Sequence, residues 1–413
     1  MDRREFLKQL GLFSTTGFLM LGMNGWAATR LDESGSRKRL VVVFLRGAVD
    51  GLNVVAPYGE SSYYDFRPTI AIPRPPGDGA LLDLDGHFGL HPSLAPLASL
   101  WRNGTLAFVH ACGSPDETRS HFDAQDYMET GTPGVKNTPD GWMNRLLAVL
   151  PGSHDATEAV SVGPIRPRIL SGKMPATNLA LGPAVTRTAP VDRPEIQSVF
   201  DRVYDGDDSL SVAYREGQSA RKKLLAEIAE DMKIADAGAP SPAGFSNQAG
   251  KLAHLIVRDP NVKLAFLALG GWDTHVDQGS VNGQLSNRLW SLGEVLQIFV
   301  QGLGSAYSDT VIVVMSEFGR TAHENGNAGT DHGHGNVMWV LGGKVQGRKV
   351  YSEWPGMSGR DLYDGRDLAA TTDFREVIAT LLEYHFGLTA SQVDRVLPGR
   401  PKPGGLLRGL IRT

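Results

Sequence analysis

The sequence predicts an α/β fold: a mostly parallel sheet with helices on both faces and an inserted cap region over 152–245. Two observations carry this. Leu40-Val41-Val42-Val43-Phe44-Leu45 is an unbroken apolar run closed at once by the glycine turn Arg46-Gly47-Ala48-Val49-Asp50-Gly51. Such a run marks a strand covered on both faces, as in parallel sheets. From Gly250 onward, helix-like and strand-like stretches alternate, the signature of βαβ units.

The elements follow in order. Arg3 and Arg4 stand before Phe6-Leu7, no charged residue occurs from Gln9 to Thr29, and the stretch ends in the small pair Ala27-Ala28. This predicts a twin-arginine signal over 1–28, engagement of the twin-arginine translocase, and a periplasmic or secreted destination. Ser14, Thr15 and Thr16 interrupt the apolar stretch, so no stable membrane span is expected. That route carries folded proteins, often with a cofactor already loaded. Residues 29–38 read as a linker and 57–90 as loop. Pro92–Leu100 has leucines at helical spacing, Asn103-Gly104 is a stop, and Thr105–Ala111 reads as a second strand. A helix is expected after Ser120, with Phe122, Tyr127 and Met128 sharing part of one face, and another over Trp142–Leu150. Within 152–245 the signals weaken to a strand-like Glu158–Val162, a charged helix over Ala220–Ile234 and a Pro/Gly/Ala/Ser-rich stretch at 237–246. Beyond it come a helix at Gly250–Val257, a strand at Val262–Leu269, a long helix at Leu285–Leu303, strands at Thr310–Met315 and Val337–Leu341, and an amphipathic helix over Thr372–His385 closed by Gly387.

Composition narrows the function. Net charge is −4 with both signs interspersed, which argues against nucleic acid or a polybasic membrane contact. Cys112 is the single cysteine, so there is no intrachain disulfide and no thiolate-rich metal site.

Loops after the apolar strands are loaded with metal-ligand side chains: Asp50 after the first, Asp273 and His275 in Gly271-Trp272-Asp273-Thr274-His275, Glu317 in Ser316-Glu317-Phe318-Gly319-Arg320, then Asp331, His332 and His334 in Asp331-His332-Gly333-His334. Loops at the carboxyl ends of parallel strands converge on one crevice. Carboxylates packed there without a cation would repel, and a divalent ion removes that penalty. Mixed oxygen and imidazole ligands suit zinc, manganese or iron. Each piece alone also fits a simpler role: Asp273 and His275 as turn residues, Glu317 as partner of Arg320, and Ser120 as a helix N-cap with Asp123 three residues on. Ser120, flanked by Arg119 and His121 at a helix start, is the candidate nucleophile.

At these residues, together with Arg46-Gly47-Ala48-Val49-Asp50-Gly51-Leu52, His91-Pro92-Ser93-Leu94 and Arg119-Ser120-His121-Phe122-Asp123, the chain resembles the exported bacterial family called domain of unknown function 1501. That family is itself similar to the alkaline phosphatase and sulfatase superfamily. The resemblance implies an alkaline phosphatase-like sheet with a metal centre at its strand ends. Glu317-Phe318 stands where superfamily phosphatases carry an Asp-His pair, and Ala48 where the family commonly has glycine. The reading implied is a metal-dependent hydrolase of phosphate or sulfate esters using zinc or manganese. In it Ser120 attacks with Arg119, His121 and Arg320 in the catalytic set, and Asp50, Asp273, His275, Glu317, Asp331, His332 and His334 supply the metal ligands. The competing reading is a non-catalytic secreted binding protein on the same fold with an eroded metal site.

Overall fold

The computed structural model describes residues 37–163, 165–179, 235–402 and 404–412. The leader and the expected charged helix at 220–234 lie outside these residues. Among the described residues nine strands form the main sheet: β1 (Arg39–Leu45), β2 (Leu106–Gly113), β3 (Ala159–Val162), β4 (Thr177–Leu179), β5 (Leu264–Leu269), β6 (Thr310–Ser316), β7 (Asn336–Gly342), β8 (Lys349–Tyr351) and β9 (Thr372–Asp373). Their spatial order is β8-β2-β7-β6-β1-β5-β3-β4, with β9 alongside β2. β1 pairs in parallel with β5 and β6, Leu40 lying opposite Leu264 and Val311. β7 runs antiparallel to both its neighbours, β6 and β2. The sheet is therefore mainly parallel.

Alternation along β1 explains the two cores. Val41, Val43 and Leu45 point into one, Leu40, Val42 and Phe44 into the other. A strand buried on both faces has no polar side to show, hence its continuous apolar run. The first core is closed by α3 (Ser246–Arg258) and α4 (Gln284–Leu303), and the second by α2 (Trp142–Val149), α5 (Phe374–Tyr384) and α6 (Ala390–Val396). α1 (His121–Thr130) adds Met128 to the second core. On α4 the buried Leu285, Leu289, Leu292, Leu296, Phe299 and Leu303 recur every three or four residues. Each contributes about 1.5–3 kcal/mol by leaving water.

Three departures from the sequence reading have local causes. The stretch from Pro92 begins as a 3-10 turn over Pro92–Leu97 and becomes α-helical only at Ala98–Arg102, because Pro96 lacks the N–H an α-helix needs. Thr372–Asp373 is strand rather than helix, and α5 starts after Asp373, whose side chain caps the N–H of Arg375 at 2.9 Å. Within the stretch expected as an insertion, β3 pairs with β5 and β4 with β3, so these residues extend the main sheet.

The pairing directions send the carboxyl ends of β1, β2, β5 and β6 to one edge, and the amino end of antiparallel β7 reaches the same edge. That edge collects 46–50, 114–121, 270–275, 316–321 and 331–335. Among the described residues no helix is long and apolar enough to cross a membrane.

Candidate metal centre

Three imidazoles meet at this edge. His121 is the first residue of α1, and its Nδ1 lies 2.8 Å from Glu317 Oε1. His275, beyond β5, has Nδ1 3.2 Å from Asp331 Oδ1. His332, ahead of β7, has Nδ1 3.0 Å from the carbonyl oxygen of Arg119. Carboxylates and carbonyls only accept, so each Nδ1 donates, and each neutral ring is left with an Nε2 lone pair. Metal-binding histidines are oriented in this way by their outer partners.

The Nε2 atoms converge. His332 Nε2 is 2.9 Å from His121 Nε2 and 3.0 Å from His275 Nε2. Fully buried Asp273 joins them, with Oδ1 3.0 Å from His275 Nε2 and 3.4 Å from His332 Nε2, and Oδ2 3.6 Å from His121 Nε2. The ligand atoms of His121, Asp273 and His332 all lie within 4.8 Å of one another. Asp273 Oδ2 is buried without a hydrogen-bond partner. Lone pairs at hydrogen-bond distance repel unless a proton or cation lies between them. Tetrahedral donors at ordinary zinc distances stand about 3.3 Å apart, close to the separations here. The residues therefore fit a divalent ion, which they would hold through three imidazoles and one carboxylate.

The charges agree. Burial works against the Asp273 anion, yet contacts from His121, His275 and His332 and the Arg320 charge hold its carboxyl far below the usual range. Burial also opposes charge on His121, but Asp273 and Glu317 push it up to about 9. Glu317, despite its burial, is brought down to about 2 by His121 and Gln125. His275 draws Asp331 down to about 2. Burial lowers His332. Without a metal the cluster thus keeps its carboxylates ionised and takes up a proton at His121, the place a cation would claim.

Glycine and arginine build the cradle. Gly47 has φ +110, and a Cβ there would lie 2.7 Å from the Asp273 nitrogen. Gly319 and Gly333 let the loops before β7 stack: added Cβ atoms would sit 1.9 Å from the Gly335 oxygen and 2.3 Å from the Arg320 carbonyl carbon. Arg320 is 1% exposed and donates to the carbonyls of Gly47, Ala48, Trp272 and Thr330 and to Asp273. It ties three loops together and offers no donor to solvent.

Of the sequence-derived candidates, His121, Asp273, His275 and His332 come together. Other placements differ from the expectation. Glu317 and Asp331 stand one layer out, gripping histidines, while His121, expected in the catalytic set, turns its Nε2 into the cluster. Asp50 lies outside the cluster: Arg67 donates to its Oδ2 at 2.6 Å and Oδ1 at 3.0 Å, and Gln278 donates to Oδ2 at 2.7 Å. His334 also lies apart, its ring stacked on Tyr363 with centroids 5.0 Å apart. Arg320 is a tie between loops, as described. Ser120 is exposed and caps α1, accepting from the Asp123 N–H at 3.5 Å. Arg119 donates to Asp367 at 2.7 Å. Gln125 escaped the sequence reading. It donates to Glu317 at 2.8 Å and lies one helical turn after His121, so the i, i+4 spacing was its signal.

The fold has solved relatives of low similarity. One is a protein in the alkaline phosphatase superfamily from Vibrio parahaemolyticus, 11% identical, covering 97% of this chain and 80% of that one at TM-score 0.42. Another is the C-terminal periplasmic domain of EcEptC from Escherichia coli in complex with Zn, 12% identical, covering 90% and 89% at TM-score 0.41. A third is a putative sulfatase from Bacteroides thetaiotaomicron, 10% identical, covering 89% and 76% at TM-score 0.36. No curated protein matches the sequence. The family model described as "Protein of unknown function (DUF1501)" matches residues 37–397, and the chain belongs to that family.

Proposed function

We propose that this protein is an exported, metal-dependent hydrolase of phosphate or sulfate esters, with a zinc or manganese ion held by His121, His275, His332 and Asp273. The observation that carries the reading is the convergence of three Nε2 lone pairs on a buried carboxylate whose Oδ2 has no partner. A divalent ion bound there supplies Lewis acidity toward an ester oxygen or an attacking hydroxyl. The chain supplies the rest. Glu317, Asp331 and the Arg119 carbonyl fix the rings. Ser120, next to His121, has an exposed hydroxyl and only a long capping bond, which leaves its Oγ available as nucleophile. The Arg119 side chain, 39% exposed, offers donors to an anionic group. Export rests on Arg3-Arg4 and the uncharged stretch after them.

Elemental analysis of protein purified without chelator, followed by a screen of phosphate and sulfate esters, tests this. Wild type should carry a divalent metal and cleave at least one ester, and Asp273→Asn should lose both while staying folded by circular dichroism. A metal-loaded wild type inert toward every ester would overturn the reading. Undiminished cleavage by Ser120→Ala would assign attack to water instead. One observation favours a second reading, a binding protein with a structural ion: four inward donors are present, whereas catalytic zinc usually keeps three. Metal without turnover is its mark.

A further inference from the structure

Two arginines at the mouth of the centre share one buried carboxylate. Arg119, whose carbonyl takes the His332 proton, turns its guanidinium to Asp367 Oδ2 at 2.7 Å. Arg366 brings Nη1 within 3.4 Å of the same carboxylate. Asp367 is fully buried, while 39% of each arginine side chain is exposed. Backbone contacts hold Arg366 beside the centre: its carbonyl accepts from the Ala322 N–H at 3.0 Å, and Asp367 bridges Thr321, whose hydroxyl accepts from the Asp331 N–H at 3.1 Å. Asp331 in turn grips His275, and the Arg366 charge helps keep it ionised. Asp364 approaches Arg119 only to 3.8 Å and is 64% exposed, a contact of little energy. One buried negative charge therefore serves two guanidinia, each of which keeps part of its side chain exposed.

We infer that Arg366 and Arg119, set on Asp367, form an anion clamp that selects doubly charged phosphate monoesters over singly charged sulfate esters. This rests on the ester-hydrolase reading above and narrows its substrate class. Guanidinium forks match tetrahedral oxyanions through paired N–H donors. Asp367 holds both forks in place, so little side-chain freedom is lost on binding. A second negative charge on the ligand is what the clamp rewards.

Phenylphosphonate and benzenesulfonate share shape but carry two charges and one at mildly alkaline pH. Each is titrated calorimetrically into the metal-loaded full chain, so that turnover is not needed. Wild type should bind the phosphonate at least about tenfold more tightly. Arg366→Ala should bring the two within about threefold at unchanged metal content, and Arg366→Lys should keep part of the preference. Should Arg366→Ala fail to fold, Arg366→Gln, which keeps the bulk of the side chain, replaces it. Equal binding by wild type, binding of neither, or full preference in the Arg366 variant overturns the clamp. A protein that prefers the phosphonate yet cleaves no ester overturns the hydrolase reading and leaves the clamp standing. One that cleaves sulfate esters as fast as phosphate esters does the reverse.

Discussion

Glu317 shows how a residue acts through its neighbour. Its Oε1 takes the His121 proton at 2.8 Å and also accepts from Gly47 N and Gln125 Nε2, while Oε2 accepts from Ser316 Oγ. An amide at this position keeps the volume but loses the charge that orients the ring. Glu317→Gln should therefore weaken metal affinity by about 10- to 100-fold with the fold retained, read by competition with a chromophoric chelator. An unchanged affinity would show that the carboxylate plays no part in holding His121. At this scale the sequence was half legible. Asp273, His275 and His332 were readable because acidic and imidazole groups crowd glycine-rich loops after strands. Asp50 was not, since its partner Arg67 comes from a stretch whose irregular pattern revealed no contact.

Elements decide how closely those residues approach. The 316–321 and 331–335 stretches lie back to back, Gly319 N–H donating to the His334 carbonyl at 2.9 Å and Gly333 N–H to the Gly319 carbonyl at 2.8 Å. Gly333→Ala would push a methyl against the Arg320 backbone, which has no flexible end to swing aside. The expected cost is about 3 kcal/mol, seen as a lower urea midpoint with loss of bound metal; wild-type stability in this variant would refute the close approach. Strand β1 was plain from its apolar run. The reversed direction of β7 was not, because Asn336–Gly342 reads as the same apolar strand whichever way it runs.

Across the whole molecule, buried neutral histidines set the acid limit of stability. Burial lowers His91, His110 and His385 from 6.5 to about 4. His110 shows why: Nε2 donates to the Val55 carbonyl at 2.8 Å while Nδ1 accepts from the Ala111 N–H at 2.8 Å, leaving no room for a second proton. The unfolded chain takes up these protons first as pH falls. The contribution of these three is therefore full above pH 6.5 and declines toward pH 4, by about 2 kcal/mol per histidine at pH 5. Urea unfolding at pH 7.5 and pH 5 measures the loss, and His110→Gln should reduce it by about 2 kcal/mol. A wild type equally stable at both pH values would contradict the assignment. Glu317 and Asp331, both near 2, titrate below this window, and His121 above it.

By itself the sequence determined the class of fold, the order of most strands and helices, and the loops that carry the clustered acidic and imidazole side chains. These are written in local pattern: runs of apolar residues, helical spacing, glycine beside charge. Which carboxylates face inward, which hold a histidine from behind, and which pair with an arginine was decided only by the tertiary structure. The reason is physical: a carboxylate's role depends on which donor lies within about 3 Å, and those donors come from segments far apart in the chain that only the packed sheet brings together.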